Sequence, residues 1–220
     1  MSLFRLDASL RVEGSHSRAL ADFVEEEWRG SHPQDPIVRR DLGRNPLPST
    51  AWASAVWASR TPPESRTGEQ EAALVLPAEL TEELLAANEM LFAIPLFNFG
   101  VSQHFKAWVD LVVTDSRMAA GKEPPLEGTP AVLVAVRGGA YGPGTPRDGW
   151  DHATGWYRRI LGDVWRLDLE VVEEELTNFG VNPALDQFED LALKNRREAE
   201  DRARQLGRDL GVSTQQTSVG

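Results

Sequence analysis

The sequence predicts an α/β fold in which helices cover both faces of a parallel, five-stranded sheet. Three observations carry this prediction. Short apolar runs alternate with amphipathic stretches of helical length, the pattern of repeated strand–helix units. Two of the runs, Met90-Leu91-Phe92-Ala93-Ile94 and Ala131-Val132-Leu133-Val134-Ala135-Val136, are apolar throughout, as strands buried on both faces are. The chain has 220 residues, 41% of them hydrophobic, and no cysteine, so it is long enough to pack an ordinary core without disulfide staples.

Residues 3–8 read as the first strand, ending at Asp7-Ala8-Ser9. Leu20, Phe23, Val24 and Trp28 then recur at helical spacing, with Asp22, Glu25 and Glu26 facing out. Residues 36–42 form a weak second strand around Ile37 and Val38. Residues 43–66 are rich in Pro, Ser and Arg, carry Trp52 and Trp57, and read as a long loop, either functional or mobile. Thr67-Gly68-Glu69-Gln70 has capping-box spacing and opens a helix. Pro77 is expected to interrupt it before Leu80, Leu84 and Leu85 continue the apolar face. The third strand, from Met90, stops at Pro95, which has no ladder donor. Ser102 is expected to cap a helix with Phe105, Val109 and Val112 on one face. The fourth strand ends in Arg137-Gly138-Gly139. Residues 149–164 read as a helix with Trp156, Ile160 and Val164 inward, 169–176 as a fifth strand, and 183–210 as a charged amphipathic helix. Residues 1–212 make one domain, and 213–220 a polar, disordered tail.

Right-handed crossovers leave few orders for five such strands, and the flavodoxin-like three-layer α/β/α arrangement with order 2-1-3-4-5 fits. Such sheets bind ligands beyond the carboxyl ends of the strands, at the switch point between strands one and three. Residues 9–17, 95–100 and 137–144 are therefore the candidate binding loops.

Composition narrows the function. With 23 Lys+Arg against 34 Asp+Glu, the net charge is −11. Such a chain is a poor partner for nucleic acid or an anionic membrane, because both need cations to neutralise phosphate. No run reaches the ~20 apolar residues of a spanning helix, and the charged N-terminus does not resemble a secretory signal; a cytoplasmic protein is expected. No Gly-x-Gly-x-x-Gly follows strand one, and there is no Walker A or Gly-x-Ser-x-Gly motif. His16, His32, His104 and His152 lack metal-ligand spacing, so no metal is expected. The run Glu173-Glu174-Glu175 reads as a solvated strand end.

Each loop admits a structural and a functional reading. Ser9, Ser15, His16 and Ser17 sit between strand one and helix one. The serines either cap the helix or hold a phosphate at its N-terminus, without help from Lys or Arg. Leu96-Phe97-Asn98-Phe99 is either a turn with core aromatics or a wall for a planar heterocycle, whose mixed edge suits the Asn98 amide. Val136-Arg137-Gly138-Gly139 is either a tight turn or a place where backbone N–H groups approach a ligand.

Taken together these segments resemble a known family. Asp7-Ala8-Ser9 with Ser15-His16-Ser17, Asn45-Pro46-Leu47-Pro48, Pro95-Leu96-Phe97-Asn98-Phe99 with residues 103–106, and Arg137-Gly138-Gly139 are similar to segments of the FMN-dependent NADH-azoreductases. These are flavodoxin-like enzymes that also reduce quinones. The resemblance covers residues 3–113 and 130–176, and the Asn-Phe loop is its most specific piece. It implies FMN, with Ser9, Ser15, His16 and Ser17 at the phosphate arm, Leu96, Phe97, Asn98 and Phe99 along the flavin, and Val136, Arg137, Gly138 and Gly139 on the pyrimidine side. It implies NADH or NADPH as co-substrate, a quinone or azo compound as acceptor, ping-pong hydride transfer without a side-chain nucleophile, and a homodimer. Two segments depart from the family: residues 114–121 replace an aromatic Thr-Phe segment, and the 138–150 loop is longer. A flavin-binding module without turnover, or a flavodoxin-like signalling or interaction module, is the alternative reading.

Overall fold

The computed structural model describes residues 1–119, 121 and 123–213. Five strands, β1 (Leu3–Asp7), β2 (Ile37–Asp41), β3 (Glu89–Pro95), β4 (Pro130–Val136) and β5 (Asp168–Glu174), form one sheet in the order β2-β1-β3-β4-β5. All four pairings are parallel, as the sequence predicts, with Leu3 opposite both Ile37 and Glu89, and Met90 opposite Ala131. The helices are α1 (His16–Ser31), α2 (Ala51–Arg60), α3 (Gly68–Leu85), α4 (Gln103–Val112), α5 (Thr154–Arg158) and α6 (Glu189–Ser213).

Period-two alternation sends each strand's side chains to two cores. Phe4, Leu6, Met90, Phe92, Ile94, Leu133 and Ala135 face α2 to α5, where Trp108 stacks on Phe105 and Phe4 at ring-centroid distances of 5.5 and 6.2 Å. Leu3, Leu91, Ala93, Val132 and Val134 face the other way and pack with Leu20, Val24 and Trp28 of α1 and Ala199, Ala203 and Leu206 of α6. Glu89 lies buried at the start of β3, where it accepts a hydrogen bond from Trp28 Nε1. Among the described residues no helix is long and apolar enough to cross a membrane.

Four local expectations are corrected. Residues 43–66 are not one long loop, because α2 forms inside them; it buries only Ala55 and Ala58 and exposes both tryptophans, so its periodicity is weak. Pro77 does not interrupt α3. The helix runs through it, since Leu76, Leu80 and Leu84 on both sides pack into the same core and tertiary burial outweighs propensity. Ser102 occupies the N-cap position of α4 without a capping bond, and its hydroxyl points to the Ala8 carbonyl, 3.4 Å away. The helix expected from residue 149 starts at Thr154, where Asp151 accepts from the Ala153 and Thr154 amides, and it turns π-helical over Arg159–Val164. The predicted polar tail from Thr214 onward lies outside the described residues, and Ser213 closes α6.

Candidate active site

The carboxyl ends of β1, β3 and β4 converge as the strand order requires. After β1, residues 8–15 lead into α1. Ser15 is the N-cap: its hydroxyl accepts from the Arg18 amide at 3.4 Å and lies 3.2 Å from the buried Ser17 hydroxyl. Ser9 Oγ accepts from the Arg11 amide at 3.2 Å. Arg18 braces this loop from below, with two 2.7 Å bonds to Asp41 and one of 3.0 Å to the Ser9 carbonyl. Burial pushes the Asp41 carboxyl up, but the Arg18 bond and the amides of Arg44 and Gly43 outweigh it and hold the group below its ordinary range. Gly43 is obligatory here: a Cβ at that position would lie 1.9 Å from the Ser9 carbonyl oxygen.

After β3, Phe97 and Gly100 exchange backbone hydrogen bonds of 3.3 and 3.0 Å across Asn98 and Phe99. Both central residues are left-handed, with φ 49° and 65°, which makes a type I′ turn. Asparagine tolerates this conformation, whereas a phenylalanine there stores about 1–2 kcal/mol of strain. Tyr157 fixes the turn's base, donating to the Pro95 carbonyl and accepting from the Ser102 amide, each at 3.2 Å. Burial pushes its hydroxyl far above the ordinary range, so it stays a neutral donor.

After β4, the chain runs beside the extension of β5: Arg137 N–H donates to the Glu174 carbonyl at 2.8 Å, and the Asn178 amide donates to the Gly138 carbonyl at 3.1 Å. The Arg137 side chain reaches Asp151 at 2.7 Å, Glu173 at 2.5 Å and Glu175 at 3.3 Å. Burial pushes the Asp151 and Glu173 carboxyls up. Hydrogen bonds from Thr154 outweigh this at Asp151, the Arg137 charge does so at Glu173, and both groups stay below their ordinary range. Of the triple-glutamate run, read as a solvated strand end, only Glu173 is exposed. Glu174 is 2% exposed and meets His16 Nδ1 at 2.9 Å and Arg196 at 3.3 Å; the other two hold Arg137.

A cleft of about 210 Å³ opens between these loops. It is lined by the predicted Ser9, Ser15, His16, Ser17, Leu96, Phe97, Val136 and Gly138. Asn98 and Phe99 are not among its lining; they are exposed in the turn at its rim. The Arg137 side chain is spent on three carboxylates, and Gly139 faces Arg147 instead. Four further residues line it: Arg11 and Pro95, which lie in the candidate loops without being singled out, and Thr177 and Asn178, which lie outside them. Arg11, whose backbone N–H donates to Ser9 Oγ, lines the serine end, where no Lys or Arg was expected. Thr177 and Asn178 come from beyond β5, a strand end that the switch-point rule does not single out. Their only local signal is the left-handed Leu176, φ 62°, which no glycine announces.

A family model described as a flavodoxin-like fold matches residues 1–198. The chain belongs to this family. An FMN-dependent NADH:quinone oxidoreductase of Frankia alni is 40% identical over 207 residues, spanning 92% of this chain and 97% of its own length. An enzyme of the same name from Streptomyces avermitilis is 33% identical over 210 residues, spanning 95% of this chain and 96% of its own. The crystal structure of an azoreductase from Bacillus anthracis superposes with a TM-score of 0.76 at 19% identity, over 95% of this chain and 99% of that one. The last likeness is one of fold, and it extends the flavodoxin-like frame over nearly the whole chain.

Proposed function

We propose that the protein is an FMN-dependent NAD(P)H oxidoreductase that reduces quinones, azo compounds or both, with FMN bound at the carboxyl ends of β1, β3 and β4. The observation that carries this reading is the make-up of one cleft. Serine hydroxyls and the N-terminus of α1 lie at one end, and apolar Leu96 and Phe97 at the other. That donor set fits a phosphate joined to a planar ring. Its volume is below the ~300 Å³ at which pockets enclose drug-sized ligands, so it suits the phosphate arm, with the ring over the open rim.

Ser9, Ser15, His16 and Ser17 would hold the phosphate, aided by the free N–H groups and positive dipole end of α1. Leu96, Phe97, Asn98 and Phe99 would line the ring, and Val136, Arg137, Gly138 and Gly139 its pyrimidine side, largely through backbone. FMN, when bound, supplies the hydride chemistry between nicotinamide and acceptor. The chain's own residues position the rings, exclude water, and offer backbone N–H groups to developing negative charge. No side chain acts as nucleophile. Nicotinamide and acceptor use one face in turn, which gives ping-pong kinetics.

The reading includes a homodimer. Trp52 of α2 lines an apolar groove of about 550 Å³ with Pro48, Val101 and Trp156, and Trp57 nearby is 68% exposed; a second copy would cover such a face. It also places the enzyme in the cytoplasm, with its NAD(P)H. The test is a visible spectrum of the protein with added FMN: bound flavin should bleach with NADH and recover with a quinone. No uptake of FMN in excess would sink the reading, and uptake without bleaching would leave a binding module.

A further inference from the structure

The loop after β4 carries a guanidinium that no carboxylate among the described residues pairs with. Arg147 lies 5.3 Å from the ring centroid of Phe99 and 5.7 Å from that of Tyr141, whose hydroxyl accepts from it at 3.3 Å. It packs on Gly139, where a Cβ would approach its Nη1 to 2.8 Å. Trp150 meets Phe99 edge to face at 5.4 Å. Phe99 is 37% and Trp150 52% exposed, so the group is an open cluster of rings around one guanidinium, beside the turn whose Phe97 lines the cleft.

Arg147 has no ion-pair partner among the described residues, although the carboxylates around it are numerous. Asp151, Glu173 and Glu175 are held by Arg137, and Asp148 accepts from the Gly144 amide at 3.1 Å. The site thus presents apolar ring faces and one planar cation. A planar guanidinium can bond two oxygens of a carboxylate or sulfonate at once, and the rings beside it suit the aromatic body of the same ligand. In a chain of net charge −11, such a ligand is repelled unless a local cation offsets the field.

We propose that Arg147 is a specificity-determining residue that selects aromatic electron acceptors bearing a carboxylate or sulfonate. The assignment rests on the reductase reading above. The guanidinium binds the anionic group while Phe99 and Trp150 hold the ring toward the cleft.

The test compares 1,4-naphthoquinone-2-sulfonate with 1,4-naphthoquinone as acceptors for the wild type, Arg147→Gln and Arg147→Lys. The sulfonate-to-neutral ratio of kcat/KM should fall about tenfold in Arg147→Gln, the scale of one charge-assisted hydrogen bond at a partly exposed site. Arg147→Lys, with charge but no planar fork, should fall between. A second readout needs no turnover: calorimetric titration with naphthalene-2-sulfonate and 2-naphthol, with FMN added. The ratio of their dissociation constants should change in the same sense. If both ratios are unchanged in Arg147→Gln, the proposal is overturned, whether or not overall activity drops. If the wild type never oxidises NADH yet binds the sulfonate in an Arg147-dependent way, the reductase reading fails and the anion site stands.

Discussion

The Arg137 guanidinium lies 2.7 Å from the Asp151 carboxylate, and this ion pair ties the end of β4 to the start of α5. Between the two runs the loop that carries Tyr141, Arg147 and Trp150. The same carboxylate accepts the Ala153 and Thr154 amides and the Thr154 hydroxyl at 2.7–2.9 Å, so one group closes the loop and caps the helix.

Asp151→Asn should therefore cost about 1–3 kcal/mol at pH 7, the penalty for weakening a part-buried charged network. The Asp151 carboxyl is held below its ordinary range in the fold. Its contribution is thus complete above about pH 4, the unfolded value, and is lost as pH falls through the lower folded value. The gap in thermal stability between wild type and Asp151→Asn should narrow from pH 7 to pH 3. A gap that stays constant over this range would show that Asp151 acts through packing alone.

At the turn after β3, backbone and side chain are separable. Asn98→Gly keeps a residue that accepts φ 49° and removes only the amide. Asn98→Ala removes the amide and adds left-handed strain of about 1–2 kcal/mol. Since Asn98 is exposed, FMN affinity by fluorescence titration should fall about tenfold in Asn98→Ala but less than about threefold in Asn98→Gly. Equal losses would assign the effect to the amide itself.

Arg11 sets a third expectation. As the cation lining the serine end of the cleft, it should favour a phosphate-bearing flavin. Arg11→Gln should reduce the preference for FMN over riboflavin by about tenfold at low salt, and by less at high salt. A preference that stays the same at every ionic strength would remove Arg11 from the site.

Gly43→Ala places a methyl group against the Ser9 carbonyl, and neither backbone can yield freely. An overpacking cost of about 2–3 kcal/mol should lower Tm by roughly 4–12 °C for a chain of this size. An unchanged melting curve would mean that the loop after β2 shifts without cost.

The strand order was readable because buried strands and amphipathic helices alternate with little ambiguity, and the order then located the loops. Eight predicted residues meet in one cleft for that reason. What the sequence hid were contacts set by tertiary pairing. Glu173, Glu174 and Glu175 look like a solvated run until Arg137, Arg196 and His16 arrive from three other segments. The short helix α2 was hidden because its tryptophans face outward, so burial leaves no helical period to read. Asn178 was hidden because its place beside Gly138 follows from the extension of β5, not from a local motif.

The two arginines ten positions apart on the loop after β4 divide their labour. Arg137 is committed to three carboxylates and holds the scaffold, while Arg147 lies over Phe99 and Tyr141 without a carboxylate partner among the described residues. Anchoring and recognition can therefore be inherited separately. Exchanging residue 147 and its aromatic neighbours would alter the acceptor-facing cluster, while the Arg137–Asp151 pair keeps the two ends of the loop together.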